Sequence, residues 1–250
     1  MKKLLLTAAL SISICGGAMA ADTGHGPLWS YLGVTGAAHW GELGEGFKAC
    51  GEGKAQSPVN IEEYKQDPNL PPLLPVYRPS PLDIINNGHT LQINVAQGSR
   101  ISVGGKAYDL KQFHFHTPSE HYLDGAPYPM EVHFVHQNPE DKELAVVGLM
   151  IKVGAHNKVI EGIWQNAPAA GGHRSVENFS MLASDLLPVN LPYYKYTGSL
   201  TTPPCSEGVQ WHLLQNNIEV SEDQLRAFQA MFPVNARSIQ PLNGRDVRGQ

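Results

Sequence analysis

Three histidines occur at spacings that suit a shared metal ion. Residues 111–116 alternate polar and apolar types, which predicts a β-strand with His114 and His116 on one face and the intervening phenylalanines on the other. A neighbouring strand that brings His133 beside them would complete a set of three neutral nitrogen ligands. Three histidines with one open position are typical of a catalytic zinc site. Paired histidines on a strand more often have ordinary surface or core roles, so this spacing alone leaves both interpretations open.

Two polar residues share strand faces with these histidines. Gln112 lies on the predicted face of His114, and Glu131 lies on that of His133 in the strand-like segment 131–136. A metal-bound histidine usually donates its other N–H to a carboxylate or carbonyl oxygen, which fixes the orientation of the ring. Gln112 and Glu131 are therefore candidates to steady the ligands.

The elements that must position these side chains are mostly short strands. Stretches of alternating or β-branched residues are separated by frequent glycines and prolines, and no repeat, low-complexity tract or linker divides the chain. One helix is predicted after Ser221, which opens a capping box with Gln224. We predict a mainly β single domain, built on a large, mostly antiparallel, twisted β-sheet with short peripheral helices. The predicted strands cover residues 90–95, 101–103, 111–116, 131–136, 144–153 and 209–214. Residues 22–60 are expected to be irregular, and 68–81 to run extended over the surface.

The N-terminus has the three-part pattern of a secretory signal peptide. Basic Lys2 and Lys3 precede an apolar run, and small residues end at Ala20. The apolar run is shorter than the roughly 20 residues of a membrane-spanning helix. We predict a signal peptide over 1–20 and a domain over 21–250, with cleavage after Ala20 or Ala21. The alternative is an N-terminus that is apolar by chance.

The cysteines agree with export. Cys15 lies in the signal segment, and the bulky Ile14 before it argues against lipidation. Cys50 and Cys205 are the remaining two, and after export such a pair indicates a disulfide. Two unpaired buried thiols are the alternative, because sequence alone does not bring them together.

The charge balance restricts the partners. The formal net charge of −5 becomes −7 when Lys2 and Lys3 leave with the signal peptide. A mildly acidic domain is poorly suited to nucleic acid or to anionic membranes. We therefore expect a small-molecule substrate, no nucleic acid partner, no membrane association after signal removal, and a periplasmic or secreted location.

Six segments, in order along the chain, resemble α-class carbonic anhydrases of the bacterial secreted type. The resemblance extends from about Trp29 to Arg245. It implies a zinc enzyme that interconverts carbon dioxide and bicarbonate, with Zn²⁺ bound by the three histidines. The segments are Gln56–Ile61, Asn86–His89, Gln112–His116, Ser119–His121, Glu131–His136 and Gly198–Cys205.

This resemblance also implies the roles of individual residues. A zinc-bound hydroxide is the expected nucleophile, oriented by Thr201 and Glu120. His89 is the expected proton shuttle, and the backbone carbonyl of Asn235 joins Gln112 and Glu131 in steadying the ligands. Polar residues expected to hold connecting waters are Tyr31, Asn87 and Gln92, although Gln92 replaces the asparagine common in animal members. Residues expected at the substrate are Thr201, Thr202, Val135, Val146, Leu200, Val209 and Trp211. Cis peptide bonds are expected before Pro58 and Pro204.

Two other function classes compete with this interpretation, and the remaining histidines have no role in it. Silent binding modules on the same scaffold typically lose a zinc ligand, whereas all three histidines are present here. A zinc hydrolase acting mainly on esters is the second alternative. A pocket lined for a small neutral molecule argues against a large native substrate, so hydrolysis of activated esters is expected as a side reaction. Bacterial members often form homodimers, but no feature of this sequence indicates an interface. His121 and His136 are expected to hydrogen-bond inside the fold, whereas surface or packing roles are expected for His25, His39, His156, His173 and His212.

Overall fold

The computed structural model describes residues 28–250, so the predicted signal peptide and its two cleavage positions lie outside the described residues. Most strands join one mixed sheet of thirteen strands, and three short ones form a second sheet. The strands are β1 Asn60–Ile61, β2 Lys65–Gln66, β3 Leu74–Val76, β4 Ser80–Asn86, β5 Leu91–Asn94, β6 Arg100–Val103, β7 Lys106–His116, β8 Tyr122–Leu123, β9 Ala126–Pro127, β10 Met130–Gln137, β11 Leu144–Val153, β12 His173–Met181, β13 Tyr193–Ser199, β14 Glu207–Leu214, β15 Ile218–Val220 and β16 Arg248–Gly249.

The large sheet has the order β12-β4-β5-β7-β10-β11-β14-β13-β16-β2, with β6 beside β7, β3 beside β6 and β15 beside β11. Most pairs are antiparallel, and the parallel ones are β11 with β14 and β15, and β16 with β2. The predicted fold class is thereby confirmed.

Helices lie at the periphery, and none in the described range is long and apolar enough to cross a membrane. The α-helices are α1 Ala49–Glu52, α2 Lys158–Gln165 and α3 Glu222–Met231, and the 3₁₀ turns are Gly33–Thr35, Ala37–Glu42, Glu45–Phe47 and Ala183–Leu186. The capping box of α3 is confirmed, because the Ser221 side chain accepts from Gln224 N while Gln224 Oε1 accepts from Ser221 N. Residues 28–60 belong to the segment that was expected to be irregular, and they contain α1 and three of the 3₁₀ turns.

The strand that carries two of the histidines starts earlier than predicted. Gly104 and Gly105, both at positive φ, form a two-residue turn between Val103 and Lys106, so β6 and β7 are one hairpin. The prediction began this strand only at residue 111, where clear alternation starts.

The segment 68–81 is only partly an exposed extended chain. Leu74 and Val76 in β3 are exposed, whereas Leu70 and Leu73 are buried in the core. Apolar side chains in this proline-rich segment cover the sheet rather than lying on the surface.

Polar and apolar residues alternate along β7, so its two faces have different surroundings. Phe113 and Phe115 are fully buried, and Phe115 packs against Trp164 of α2 and Phe228 of α3, with ring centroids 4.8 and 6.1 Å away. The histidines project from the opposite face. The core beneath the strand therefore fixes the backbone that carries them.

Candidate metal centre

Register between β7 and β10 brings the three histidines together. His114 lies directly opposite His133, and His116 lies opposite Glu131. Their ring centroids are separated by 4.6 to 5.4 Å, and one nitrogen of each ring lies within 4.8 Å of the others. The sequence predicted the shared face on each strand, and the structure supplies the register that joins the two strands.

Each histidine uses one ring nitrogen within the protein. His114 Nδ1 bonds Gln112 Oε1 at 2.8 Å, and His116 Nδ1 bonds the carbonyl oxygen of Asn235 at 2.7 Å. His133 bonds Glu131 Oε1 through Nε2 at 2.8 Å. These bonds leave Nε2 of His114, Nε2 of His116 and Nδ1 of His133 for a ligand.

This donor set fits Zn²⁺. His116 Nε2 is buried and has no hydrogen-bond partner among residues 28–250, which is costly unless a ligand satisfies it. Burial lowers the pKa of all three histidines, to about 4 for His116. The rings are therefore neutral near pH 7, with lone pairs free to bind a metal.

Glu131 is held by donors on both carboxylate oxygens. Oε1 accepts from His133 Nε2 and from His121 Nδ1, both at 2.8 Å, while Oε2 accepts from the backbone N–H groups of Glu120 and His121. Burial alone would raise its pKa, but the two facing histidines hold the pKa of Glu131 well below its usual range. A carboxylate beside His133 makes that imidazole a better donor to a cation.

A second buried carboxylate lies on the other side of the histidines. Glu120 Oε2 is 3.5 Å from His116 Nε2 and 3.8 Å from His133 Nδ1. Its Oε1 accepts the backbone N–H of Arg237 at 2.8 Å. Burial raises the pKa of Glu120 to about 7, and His133, the Arg237 N–H and the Thr201 hydroxyl act in the opposite direction. No hydrogen bond of standard geometry reaches Oε2, although the Thr201 hydroxyl interacts with this carboxylate.

An apolar cavity of about 290 Å³ opens beside the histidines. It brings together Thr201 and Thr202 with four of the five predicted wall residues. Val209 is the fifth and is not among the lining residues; it is buried in the same apolar cluster as Val146 and Trp211. Leu144, which sequence reasoning missed, also lines the cavity, and its position two residues before Val146 on β11 was the available signal. The lining residues are Gln112, His114, His133, Val135, Leu144, Val146, Leu200, Thr201, Thr202 and Trp211.

A second, smaller cavity of about 100 Å³ is lined mainly by polar and aromatic residues. The His89 ring stacks on Trp29, with centroids 3.7 Å apart and an interplanar angle of 6°. Asn87 Oδ1 accepts from the backbone N–H groups of His89 and Thr90, which fixes the turn. Partial burial lowers the pKa of His89. Its lining residues are Trp29, Tyr31, Asn87, His89, Thr90, Gln92, Gln112, His114, His116 and Thr202.

The loop after Thr201 is tied to the N-terminal part of the chain. Cys50 and Cys205 form the predicted disulfide, with Cα atoms 5.0 Å apart. The expected cis peptide bonds before Pro58 and Pro204 are confirmed, and a third precedes Pro118. The disulfide fits a location outside the cytoplasm.

The remaining histidines have other surroundings. His121 also bonds Tyr196 OH at 2.6 Å, and His136 bonds Tyr77 OH at 2.8 Å. His212 is buried beside Tyr193, and in the described part of the chain neither ring nitrogen has a hydrogen-bond partner of standard geometry. His39, His156 and His173 pair with carboxylates at the surface, and His25 lies outside the described residues.

Comparisons with known proteins agree with this geometry. Residues 35–250 match the family model described as eukaryotic-type carbonic anhydrase. A carbonic anhydrase of Pectobacterium carotovorum is 42% identical over 243 residues, covering 97% of this chain and 98% of the relative. The solved α-carbonic anhydrase of Photobacterium profundum is 42% identical with a TM-score of 0.83, covering 88% of this chain and 100% of that one. That of Thermovibrio ammonificans is 40% identical with a TM-score of 0.86, covering 90% and 100%. The chain therefore belongs to the α-class, or eukaryotic-type, carbonic anhydrase family, and it catalyses the reversible hydration of carbon dioxide to bicarbonate.

Proposed function

We propose that this reaction takes place where the two cavities meet, with substrate on the apolar side and proton release on the polar side. One observation carries the proposal: His114, Gln112 and Thr202 line both cavities. Carbon dioxide has no net charge or dipole, so an apolar pocket suits it. A proton needs a polar route instead.

His114, His116 and His133 would hold Zn²⁺ through the nitrogens that their protein partners leave free. When bound, this ion lowers the pKa of water to about 7, an effect for which carbonic anhydrases are the established example. Because all three ligands are uncharged, they leave the positive charge of the ion uncompensated.

Thr201 and Glu120 orient the nucleophile. A threonine hydroxyl carries one proton, and donation of that proton to Glu120 leaves only lone pairs on Thr201 Oγ1. These lone pairs accept a hydrogen bond from the nucleophile, whose own lone pair then points to carbon dioxide. The bond from Arg237 N–H to Glu120 Oε1 supports this arrangement, because it leaves Oε2 for Thr201.

The apolar wall holds carbon dioxide beside the histidines. Val135, Val146, Leu200 and Trp211 line the cavity, and Val209 belongs to the same buried apolar cluster. Two observations support a small neutral substrate: the wall is apolar, and the cavity holds about 290 Å³. A stopped-flow carbon dioxide assay run beside an ester assay compares the rate of the predicted ester hydrolysis with that of carbon dioxide hydration.

His89 relays the proton of each turnover to solvent. A proton leaving a group with a pKa of about 7 is recaptured at up to about 10¹⁰ per molar per second, so release to water is limited to roughly 10³ per second. Carbonic anhydrases reach about 10⁶ per second. Tyr31, Asn87 and Gln92 share the polar cavity with His89, which supports a water-filled path.

The shuttle role is tested by His89→Ala. We expect kcat at low buffer to fall about ten- to a hundredfold while kcat/KM stays nearly constant, because carbon dioxide attack precedes proton release. Imidazole in the buffer should restore much of the loss. His156→Ala is the matched control, since His156 lies at the surface paired with Glu161. Full kcat in dilute buffer, or a parallel loss of kcat/KM without rescue, would show that His89 is not the shuttle.

Export to the periplasm or the medium is also part of the proposal. The Cys50–Cys205 disulfide supports it, because such bonds persist in oxidising compartments. The mass of the protein recovered from these fractions tests cleavage after Ala20 or Ala21, and retention of residues 1–20 would contradict it. The homodimer that the family allows stays a prediction, tested by the mass in solution.

A further inference from the structure

Arg237 is a buried cation whose guanidinium bonds only neutral groups. The residue is 2% exposed. Nη1 donates to Gln56 Oε1 at 2.8 Å and to the carbonyl oxygen of Ser57 at 2.7 Å, and Nη2 donates to that of Cys50 at 2.8 Å. The guanidinium lies over the Trp40 ring, 5.7 Å from its centroid, and no residue that the structure describes bonds its Nε.

A buried charge without an ionic partner is costly, so its retention calls for a reason. Within residues 28–250 no carboxylate oxygen lies within 4.0 Å of the guanidinium. The acidic group that Arg237 does reach is Glu120, through its own backbone N–H, at 2.8 Å. Burial lowers the pKa of Arg237 to about 10, which keeps the guanidinium protonated at neutral pH.

The contacts of Arg237 extend to the loop that carries Thr201. Gln56, whose Oε1 accepts from Arg237, donates its Nε2 to the carbonyl oxygen of Cys205 at 3.0 Å. Arg237 and Gln56 together therefore bind the backbone carbonyls of both cysteines of the disulfide. Cys205 is four residues after Thr201, so one continuous buried network joins the Glu120 carboxylate to the Thr201 loop.

We propose that Arg237 is a positioning residue that sets the placement of Glu120 relative to Thr201. The guanidinium fixes the Arg237 backbone through three hydrogen bonds, and that backbone N–H in turn fixes Glu120 Oε1. Within residues 28–250, Oε2 keeps no hydrogen-bond partner of standard geometry and is thereby left for the Thr201 hydroxyl, which interacts with this carboxylate. This inference rests on the proposed role of Thr201 and Glu120, and it adds the residue that holds these two side chains in position relative to each other.

The test is a double-mutant cycle on the zinc-loaded enzyme, with kcat/KM for carbon dioxide hydration as the readout. Arg237→Lys keeps the charge but loses the fork that binds three acceptors at once. We expect it to lower kcat/KM about ten- to a hundredfold, with one zinc per chain retained, because small misplacements at an active site cost that much. In a Glu120→Ala background the same substitution should change kcat/KM less than about twofold, since its target is gone.

Arg245→Lys is the matched control. Arg245 also donates to the Gln56 backbone, but it does not bond Glu120, so its substitution should change kcat/KM by the same factor in both backgrounds. Gln56→Ala removes one acceptor from Arg237 and gives a second variant if Arg237→Lys fails to fold. Its loss should likewise vanish in the Glu120→Ala background.

The outcomes distinguish the positioning role of Arg237 from the proposed role of the Thr201–Glu120 pair. If Arg237→Lys stays within twofold of the parent, or costs the same factor with and without Glu120, the positioning role is wrong. For Gln56→Ala, the same loss in both backgrounds counts equally against it. If Glu120→Ala alone keeps full kcat/KM, the proposed role of the Thr201–Glu120 pair fails first.

Discussion

His212 should make the protein sensitive to acid. Its ring is buried against Tyr193 in the core, and neither nitrogen has a hydrogen-bond partner of standard geometry among the described residues. Burial, with Lys195 and His136 nearby, lowers its pKa from 6.5 to about 3, and the neighbouring backbone of Gln210 and Val146 offsets only part of this. The folded protein therefore holds this ring neutral where the unfolded chain protonates it.

The effect of this ring on the free energy of unfolding depends on how many protons the folded and unfolded states bind. Because the folded pKa is depressed, the unfolded state binds more protons between about pH 6.5 and pH 3, and stability falls as pH falls through that window. At pH 4 this one ring should remove about 3 kcal/mol relative to pH 8, and about 5 kcal/mol at its limit below pH 3. Burial also lowers the pKa of His136 to about 4, so protonation of this ring in acid destabilises the folded protein in the same direction.

His212→Leu removes the titrating group and two buried ring nitrogens that lack a hydrogen bond of standard geometry within residues 28–250. At pH 7 we expect its free energy of unfolding to match or slightly exceed that of the parent, because an unpaired polar group leaves the core. Between pH 7 and pH 4 the variant should lose about 3 kcal/mol less than the parent. Denaturant unfolding of zinc-loaded protein at both pH values measures this difference.

Protonation of the three zinc ligands also destabilises the fold in acid, but it does so equally in both proteins and cancels in the comparison. His173→Leu is the control, because this ring is exposed beside Asp83 and folding does not remove it from water. Suppose that the free energy of unfolding of His212→Leu falls between pH 7 and pH 4 by the same amount as that of the parent, to within about 1 kcal/mol. The buried neutral ring is then not a source of acid sensitivity.

Three further results are expected. His116→Ala should abolish tight zinc binding and activity together, because it removes one of three ligands; elemental analysis showing one zinc per active chain would contradict the assignment. Replacing Cys50 and Cys205 with alanine should lower the free energy of unfolding by roughly 5 kcal/mol, since the bond closes a loop of 155 residues. Denaturation curves check this, and a loss below about 1 kcal/mol would contradict it. Val146→Phe should lower kcat/KM about ten- to a hundredfold by filling the apolar cavity, with zinc content unchanged, and full activity in a stopped-flow assay would refute the substrate position.

Sequence was most informative where periodicity and burial agree. The strand over 144–153 has the predicted bounds, and the helix after Ser221 has its predicted cap. β12 was missed because most of its residues are exposed on both faces, so no alternation marks it. α2 was missed because its apolar residues are largely β-branched, and its start depends on the Asn157 side chain, which accepts from Val159 N and Ile160 N.

Contacts between distant parts of the chain could not be predicted from local patterns. Arg237 is one arginine in a segment without regular structure, and its partners lie near residues 50, 56 and 120. Only the folded topology makes these positions neighbours. For His212 the sequence left surface and packing roles open, because burial of a single histidine is decided by what packs over its strand.

The site therefore depends on two kinds of support. The histidines lie on adjacent strands inside the sheet, where a slip of one residue would turn them into the core, so the buried phenylalanines of β7 specify the ligand face. Thr201, Asn235 and Arg237 come from loops, where no such register exists. Their placement relies on the disulfide and on buried hydrogen bonds that reach back to the sheet. Damage to the sheet should therefore abolish metal binding, whereas damage to the loop network should leave zinc in place and reduce the rate.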